Sequence, residues 1–352
     1  MSIIPRVTWF AEENRKRIVT EAVEILEKVG VFVENDEAIE LLSGAGARVD
    51  NAQGRVFIPA ALVEKAVGSA PSRILVYNRH GEPVMDLGGD RVHFNPGSAA
   101  LRIYDYKKKK ARTPVTSDLV RFSTLTDALP NYAAQSTGIV SGDVPEEIGD
   151  RYRVYIALQN SVKPVVTGTF MVDAFRVMHE MLATVAGDQD ALAAKPMAIF
   201  DCCPSPPLKW SDLTCQALID CARTGLPAEL VSMPLTGATS PVTLAGAVVQ
   251  HAAECLSGVV IHQLARAGAP IIYGGSPACF DMRKGTTPMG AVETMMIDGA
   301  YAEIGKHLGL PTHAYMALSD SKRVDYQAGM ESAMGATIAA LSGVNNVSGP
   351  GM

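Results

Sequence analysis

Two hydrophobic periods take turns along most of this chain. Eight short apolar or β-branched segments lie near residues 91–96, 133–140, 164–169, 197–203, 227–233, 270–275, 311–318 and 345–349. Between them, near 117–129, 149–160, 172–186, 211–224, 241–267, 290–308 and 325–342, apolar residues recur at the three- and four-residue spacing of helices. Several of these stretches open on N-cap chemistry: Thr116-Ser117-Asp118, Asp173, Ser211-Asp212, and Ser240 before Pro241. Strands alternating with helices predict parallel strands joined by crossover helices. Eight such units close a TM-free α/β architecture, the TIM (β/α)8 barrel, over residues 91–352, with its chemistry at the strand C-terminal ends. The rival doubly wound sheet lacks its usual mark, because no glycine-rich dinucleotide loop follows the first strand. The eighth segment, Asn345 to Pro350, runs almost to Met352. The expectation is a barrel truncated after strand eight, with the final helix and a C-terminal region absent.

Upstream, residues 12–29 carry Ile18, Ala22, Ile25, Leu26 and Val29 at helical spacing, and a second helix is predicted from Asp36 to Leu42. Val56-Phe57-Ile58-Pro59 predicts a short strand, with Pro59 opening a helix that holds Leu62, Val63 and Val67. Residues 73–90 predict two extended strands turning at His80-Gly81. Residues 1–90 therefore form an N-terminal α+β layer that serves as a cap or an oligomer contact.

Composition narrows the class. The chain has 352 residues, 47% of them hydrophobic and 19% charged, which suits one large core plus a thin extra layer. A net charge of -6 gives no general attraction for phosphate backbones, so no nucleic-acid partner is expected. The six cysteines include no CxxC pair, so reduced cysteines and a cytoplasmic location are expected. Charged residues follow Trp9-Phe10 at once, and no run of about 18 uninterrupted apolar residues occurs, so neither a signal core nor a membrane span is expected. Glycine and small residues recur at the strand ends: Gly97-Ser98, Gly138, Gly168-Thr169, Gly237-Ala238, Gly274-Gly275-Ser276 and Gly349-Pro350-Gly351. They clear a broad opening above the barrel, suited to a large ligand or partner.

Six segments spread in barrel order carry a family resemblance: Leu41 to Asp50, Gly54 to Pro59, Pro234 to Thr243, Ile272 to Gly275, Asp325 to Gly329, and Ser348 to Met352. In these the chain resembles the trimethylamine methyltransferase (MttB-like) family of corrinoid-dependent enzymes. The resemblance implies a barrel that moves a methyl group from a methylated amine to Co(I) of a corrinoid (cobalamin) held by a separate protein. The family archetype uses pyrrolysine. No such residue stands in this sequence, so the chain resembles the non-pyrrolysine branch, which acts on quaternary amines such as glycine betaine, proline betaine or carnitine.

A quaternary ammonium has no lone pair and leaves as a neutral tertiary amine, so the reaction needs positioning and desolvation rather than an acid–base dyad. Cation–π attraction makes Phe94, Tyr104, Phe170, Trp210, Tyr273, Phe280 and Tyr315 cage candidates, and Asp201, Glu229 and Asp320 candidate countercharges. The segment from His313 to Lys322 carries the main assignment. Strand alternation puts His313 and Tyr315 on one face, and the loop beyond delivers Asp320 and Lys322 to the rim. Catalytic work is thus assigned to His313, Tyr315, Asp320 and Lys322. Substrate contact is assigned to Phe94, Phe170, Asp201, Glu229, Tyr273 and Gln327, and corrinoid contact to Gly274, Gly275, Ser276 and Gly349. Asp325 reads as a helix cap. Lys107 to Lys110 form a solvated basic run, or a contact for an acidic corrinoid protein.

Two other classes stay open. In a metal-dependent barrel enzyme, Cys202-Cys203 and the helical pair His251 and Cys255 would be the first ligands to consider. The two cysteines point to opposite faces and no third ligand is evident, so no metal is assigned. A betaine-binding subunit without turnover would show the same rim.

Overall fold

Parallel pairing in chain order links eight strands: β1 (His93–Asn95), β2 (Gln135–Ser136), β3 (Val165–Gly168), β4 (Ala198–Cys202), β5 (Ala228–Leu230), β6 (Ile271–Gly275), β7 (Thr312–Ala314) and β8 (Asn346–Ser348). The ring closes between β1 and β2 through a parallel bridge from Phe94 to Tyr132, where Ala133 N donates to Phe94 O at 2.8 Å. This computed structural model describes residues 5–97 and 99–352, so Ser98 of the expected small-residue rim, and residues 1–4 of the expected cap, lie outside the described residues. Helices α1 (Thr116–Ala128), α2 (Gly149–Asn160), α3 (Ala174–Ala186), α4 (Asp212–Thr224), α5 (Leu244–Ala265), α6 (Val292–His307) and α7 (Tyr326–Leu341) follow the first seven strands, giving a (β/α)8 architecture. Only Gly349 to Met352 follow β8 in this sequence.

Local chemistry accounts for most element ends. Ser211 Oγ accepts from Thr214 N at the start of α4, and Asp325 Oδ1 from Ala328 N at the start of α7. Helix α5 corrects the expected start at Pro241. Residues Leu235 to Ser240 fold into a tight turn, and Thr243 Oγ1 caps Gly246 N instead. Strand β7 is shorter than expected because Ala317 adopts φ +66°, which turns the chain out of the sheet just beyond Tyr315.

The N-terminal layer is woven into the barrel. Helices Glu12–Lys28, Asp36–Gly44 and Ala60–Ser69 pack on α5, and the strand Val31–Val33 pairs in parallel with Lys209–Trp210 from the loop after β4. The hairpin Ile74–Tyr77 and Pro83–Leu87 pushes Ile74, Val76, Met85 and Leu87 against Ala134, Val166, Ile199 and Ile272 of the barrel interior. That apolar stopper fills the N-terminal end of the barrel interior, which leaves the strand C-termini for the chemistry. Helix α5 is long and apolar enough to cross a membrane by length and composition. Fifteen of its 22 residues are buried, and each buried Leu, Ile or Val contributes about 1.5–3 kcal/mol to this packing.

Candidate active site

Strand alternation sorts the barrel side chains. On β4, Ile199 and Asp201 face inward while Phe200 and Cys202 join the helix-side core. By the same alternation β5 contributes Glu229, β7 His313, β8 Asn346 and β1 Asn95, all fully buried. Above the apolar stopper these form one polar layer. Asn346 Nδ2 donates to Glu229 Oε2 at 2.6 Å, and His313 Nε2 stands 3.2 Å from Glu229 Oε1. Asn95 Nδ2 donates to Asn346 Oδ1 at 2.8 Å and to Ser348 Oγ at 2.7 Å. One step higher, Tyr315 OH donates to Asp201 Oδ2 at 3.1 Å.

Asp201 and Glu229 are register partners on neighbouring strands, so their carboxyl groups are forced together. Burial and the charge of Asp201 push the Glu229 carboxyl well above its ordinary range. Burial pushes Asp201 up to about 6, opposed by its hydrogen bonds with Glu229 and Tyr315. Two like charges this close oppose each other's ionisation, and Glu229, the more deeply buried, is driven further toward its protonated form. Burial takes His313 down to about 3, so its ring is neutral. Of the two carboxyl groups Asp201 is the less deeply buried and is pushed up less, so it is the one that more readily carries the negative charge.

The sequence-assigned residues fall into three groups. His313, Tyr315, Asp201 and Glu229 meet in this layer, with Phe170 above it. Phe94 and Tyr273 do not. Phe94 faces outward into a groove of about 530 Å³ between α7 and the end of α1, because its neighbour Asn95 takes the inward position. Tyr273 points into the helix layer, its hydroxyl 3.4 Å from His251 Nδ1, while Ile272 and Gly274 take the inward face. Trp210 is also buried on the helix side, where Nε1 donates to Ser257 Oγ at 2.9 Å. In the rim loops, Asp320 accepts from Met289 N at 3.0 Å and Gly290 N at 2.8 Å, tying the loop after β7 to the turn before α6. Gln327 donates to Glu331 at 2.9 Å on the exposed start of α7, and Lys322 is exposed.

The glycines assigned to a cofactor are packed against protein. A Cβ on Gly274 would lie 2.7 Å from His313 Cβ, and one on Gly275 would lie 2.4 Å from both His251 Nε2 and Ser232 O. Gly349 meets the backbone oxygen of Met316 in the same way, and Ser276 N donates to Ser232 O at 2.9 Å. These residues make room for the polar layer and for the loops that frame it.

The model of the trimethylamine methyltransferase (MTTB) family matches residues 1–349. The trimethylamine methyltransferase MttB of Desulfitobacterium hafniense is 34% identical over 343 residues, covering 97% of this chain and 69% of the relative. The chain belongs to the trimethylamine methyltransferase family. A glycine betaine methyltransferase of Desulfitobacterium hafniense is 30% identical over 346 residues, covering 98% of this chain and 72% of that one. Among solved structures, the Methanosarcina barkeri monomethylamine methyltransferase superposes with a TM-score of 0.62 at 11% identity. That match covers 96% of this chain and 75% of the other, and it carries the barrel fold.

In this family member two further features surround the layer. Arg153 on α2 is buried beneath Phe170, with its guanidinium carbon 4.7 Å from the ring centre. It was not assigned from sequence, because nothing in the pattern of α2 separates it from a surface arginine. Asn95 and Asn346 were missed for a related reason: their neighbours Phe94 and Val347 carry the apolar signal. Around the mouth, Phe170, Met171, Val172, Met233 and Met282 on the loops after β3, β5 and β6, with Tyr326 at the start of α7, expose large apolar surface. Among the described residues no group of three or more His, Cys, Asp or Glu side chains could hold a metal ion. Cys202 lies in the helix-side core and Cys203 beside Tyr315, with the Cys203 thiol pushed well up by burial.

Proposed function

We propose that this chain moves a methyl group from a small quaternary amine, glycine betaine or a related betaine, to Co(I) of a corrinoid carried by a separate protein. The observation that carries the reading is the half-buried Asp201 carboxyl group, hydrogen-bonded to Tyr315 at the open end of a barrel in this family. A cationic methylammonium group finds there a carboxylate and an aromatic face in a site shut from below by the apolar stopper.

The bound corrinoid would supply the nucleophile, and the apolar collar from Phe170 to Tyr326 fits a broad, flat partner surface. Methionine side chains adapt their shape to such surfaces. The residues of this chain supply position and charge. Asp201 and Tyr315 hold the ammonium, while a neutral His313 sets no positive charge against it. A quaternary nitrogen loses its positive charge as the methyl departs, so attraction to Asp201 is strongest before the reaction. Asp201 therefore contributes chiefly to binding, and enclosure of the methyl group contributes to rate. No group is needed to protonate a neutral tertiary amine.

The test is to incubate the purified chain with glycine betaine, proline betaine, carnitine or trimethylamine and a reduced corrinoid, free or protein-bound. Demethylated amine is then measured by mass spectrometry. Formation of dimethylglycine from glycine betaine supports the reading. Absence of any demethylated product across the set, with a partner competent for another donor, overturns it.

A further inference from the structure

Arg153 rises from the first turn of α2 and is 2% exposed. Its Nη1 donates to the carbonyl oxygen of Thr137, just past β2, at 2.9 Å. Its Nη2 has no hydrogen-bond partner among the described residues. Asp150 Oδ1 stands 3.6 Å away, beyond a good hydrogen bond, and Asp150 Oδ2 is engaged by Phe170 N at 2.7 Å and Met171 N at 3.0 Å. The guanidinium is thus clamped between a strand end and the Phe170 ring, with one nitrogen, Nη2, left without a hydrogen bond. A buried guanidinium cannot shed its proton, and an unmet charged donor in such a place is uncommon. The group that best satisfies it is an anionic oxygen such as that of a carboxylate, which makes a charge-assisted hydrogen bond with Nη2.

The position of that unmet donor gives it a use. Arg153 sits over the ends of β2 and β3, and its charge is felt by Asp201 on β4, the next strand round the barrel. In a betaine one carbon separates the ammonium from the carboxylate, so a receptor needs its positive and negative groups on neighbouring strand ends. We propose that Arg153 anchors the substrate's carboxylate, so that the mouth selects zwitterionic N-methylated amines over methylated amines without an acid group. This rests on the methyl-transfer reading above. Arg153 acts here as a specificity-determining residue, and the methyl group itself lies toward Asp201 and Tyr315.

Isothermal titration of wild type, Arg153→Gln and Arg153→Lys with glycine betaine and with tetramethylammonium separates this role from a structural one. Circular dichroism melts check that each variant is folded. Arg153→Gln is expected to weaken glycine betaine by about thirtyfold or more, as for loss of a hydrogen-bonded charge pair, and tetramethylammonium by no more than about threefold. Arg153→Lys keeps the charge without the guanidinium and falls between. Should Arg153→Gln fail to fold, the same split between the two ligands in Arg153→Lys is the test. Equal weakening of both ligands would mean that Arg153 only supports Asp201, and would overturn the proposal. So would unchanged glycine betaine binding, or a wild type that binds tetramethylammonium as tightly as glycine betaine or binds neither. Selective betaine binding without methyl transfer would sink the methyltransferase reading and leave the anchor standing. Methyl transfer with no effect of Arg153→Gln on either amine would do the reverse.

Discussion

Gly274→Ala probes how the barrel makes room for its polar layer. Gly274 on β6 pairs in register with His313 on β7. An added methyl would stand 2.7 Å from His313 Cβ, 2.9 Å from its Nδ1 and 2.9 Å from its carbonyl oxygen. Two of those atoms belong to, or sit directly on, the backbone of a strand held on both sides, so rotating a side chain cannot relieve the contact. Overpacking of this kind costs about 1–3 kcal/mol. At roughly 2.1 cal/mol/K per residue, a loss of about 2 kcal/mol in a chain of this size lowers Tm by about 3 °C. Urea unfolding followed by circular dichroism measures the loss directly. The His313 ring resonances in NMR should move as well, because the imidazole must leave its 3.2 Å contact with Glu229. The matched control is Gly329→Ala on the exposed first turn of α7, where a Cβ would meet nothing within 4 Å. Removing that helical glycine should stabilise by about 0.5–1 kcal/mol. Gly274→Ala with wild-type stability and unchanged His313 resonances would refute the claim that this glycine shapes the site.

Four further outcomes follow from the same geometry. Asp201→Asn should raise KM for a quaternary amine far more than it lowers kcat. At an effective dielectric of about 20, a carboxylate about 5 Å from an ammonium is worth about 3 kcal/mol, on the order of a hundredfold in binding; a pure kcat effect would contradict the binding role. In wild type, amine affinity should fall as pH drops through about 6, because Asp201 takes up a proton there and loses its charge. The stability term runs the opposite way: a raised carboxyl pKa favours the folded state at low pH, and that advantage is lost as pH rises through about 6. Urea titrations at several pH values should therefore show Asp201→Asn gaining on wild type as pH rises from about 4 to about 6 and levelling off above that, and a constant difference across this window would contradict the raised pKa. Tyr301→Phe removes a buried hydroxyl whose one hydrogen is shared between Gly275 O at 2.8 Å and His313 O at 3.0 Å. Losing that hydrogen bond should cost about 0.5–1.5 kcal/mol, read as a shift in the urea midpoint.

The barrel was legible because its two periods are local. A β-branched run bounded by turn residues and an apolar stripe at helical spacing each announce themselves within about ten residues. Asp325 and Ser211 marked their helices correctly for the same reason, since a cap is chemistry between residues three apart. The interior was harder to read. Alternation placed His313 and Tyr315 together, but it could not say which of two faces on β1 or β6 looks inward. Phe94 and Tyr273, aromatic and near strand ends, turned out to serve the outer wall and the helix layer. The inward positions beside them belong to Asn95 and Gly274, whose small or polar side chains carry no hydrophobic signal. The carboxyl pair depends on the register between β4 and β5, a non-local fact that no spacing in the sequence encodes. Arg153 was hidden for a similar reason, because its partners Thr137 and Phe170 come from other strand–helix units. The glycines that end β6 were visible as a cluster. Their work is to admit His313 and His251, an inward packing role that the sequence alone could not distinguish from an opening toward solvent.

Equilibrium binding of tetramethylammonium and glycine betaine to wild type and Asp201→Asn, measured across the pH range around 6, tests most directly the negative charge at the mouth on which the functional reading depends. Wild type should bind both ligands more tightly as pH rises through about 6, and Asp201→Asn should bind them weakly with no such rise. Equal affinities in the two proteins, flat with pH, would contradict a methylammonium site at Asp201.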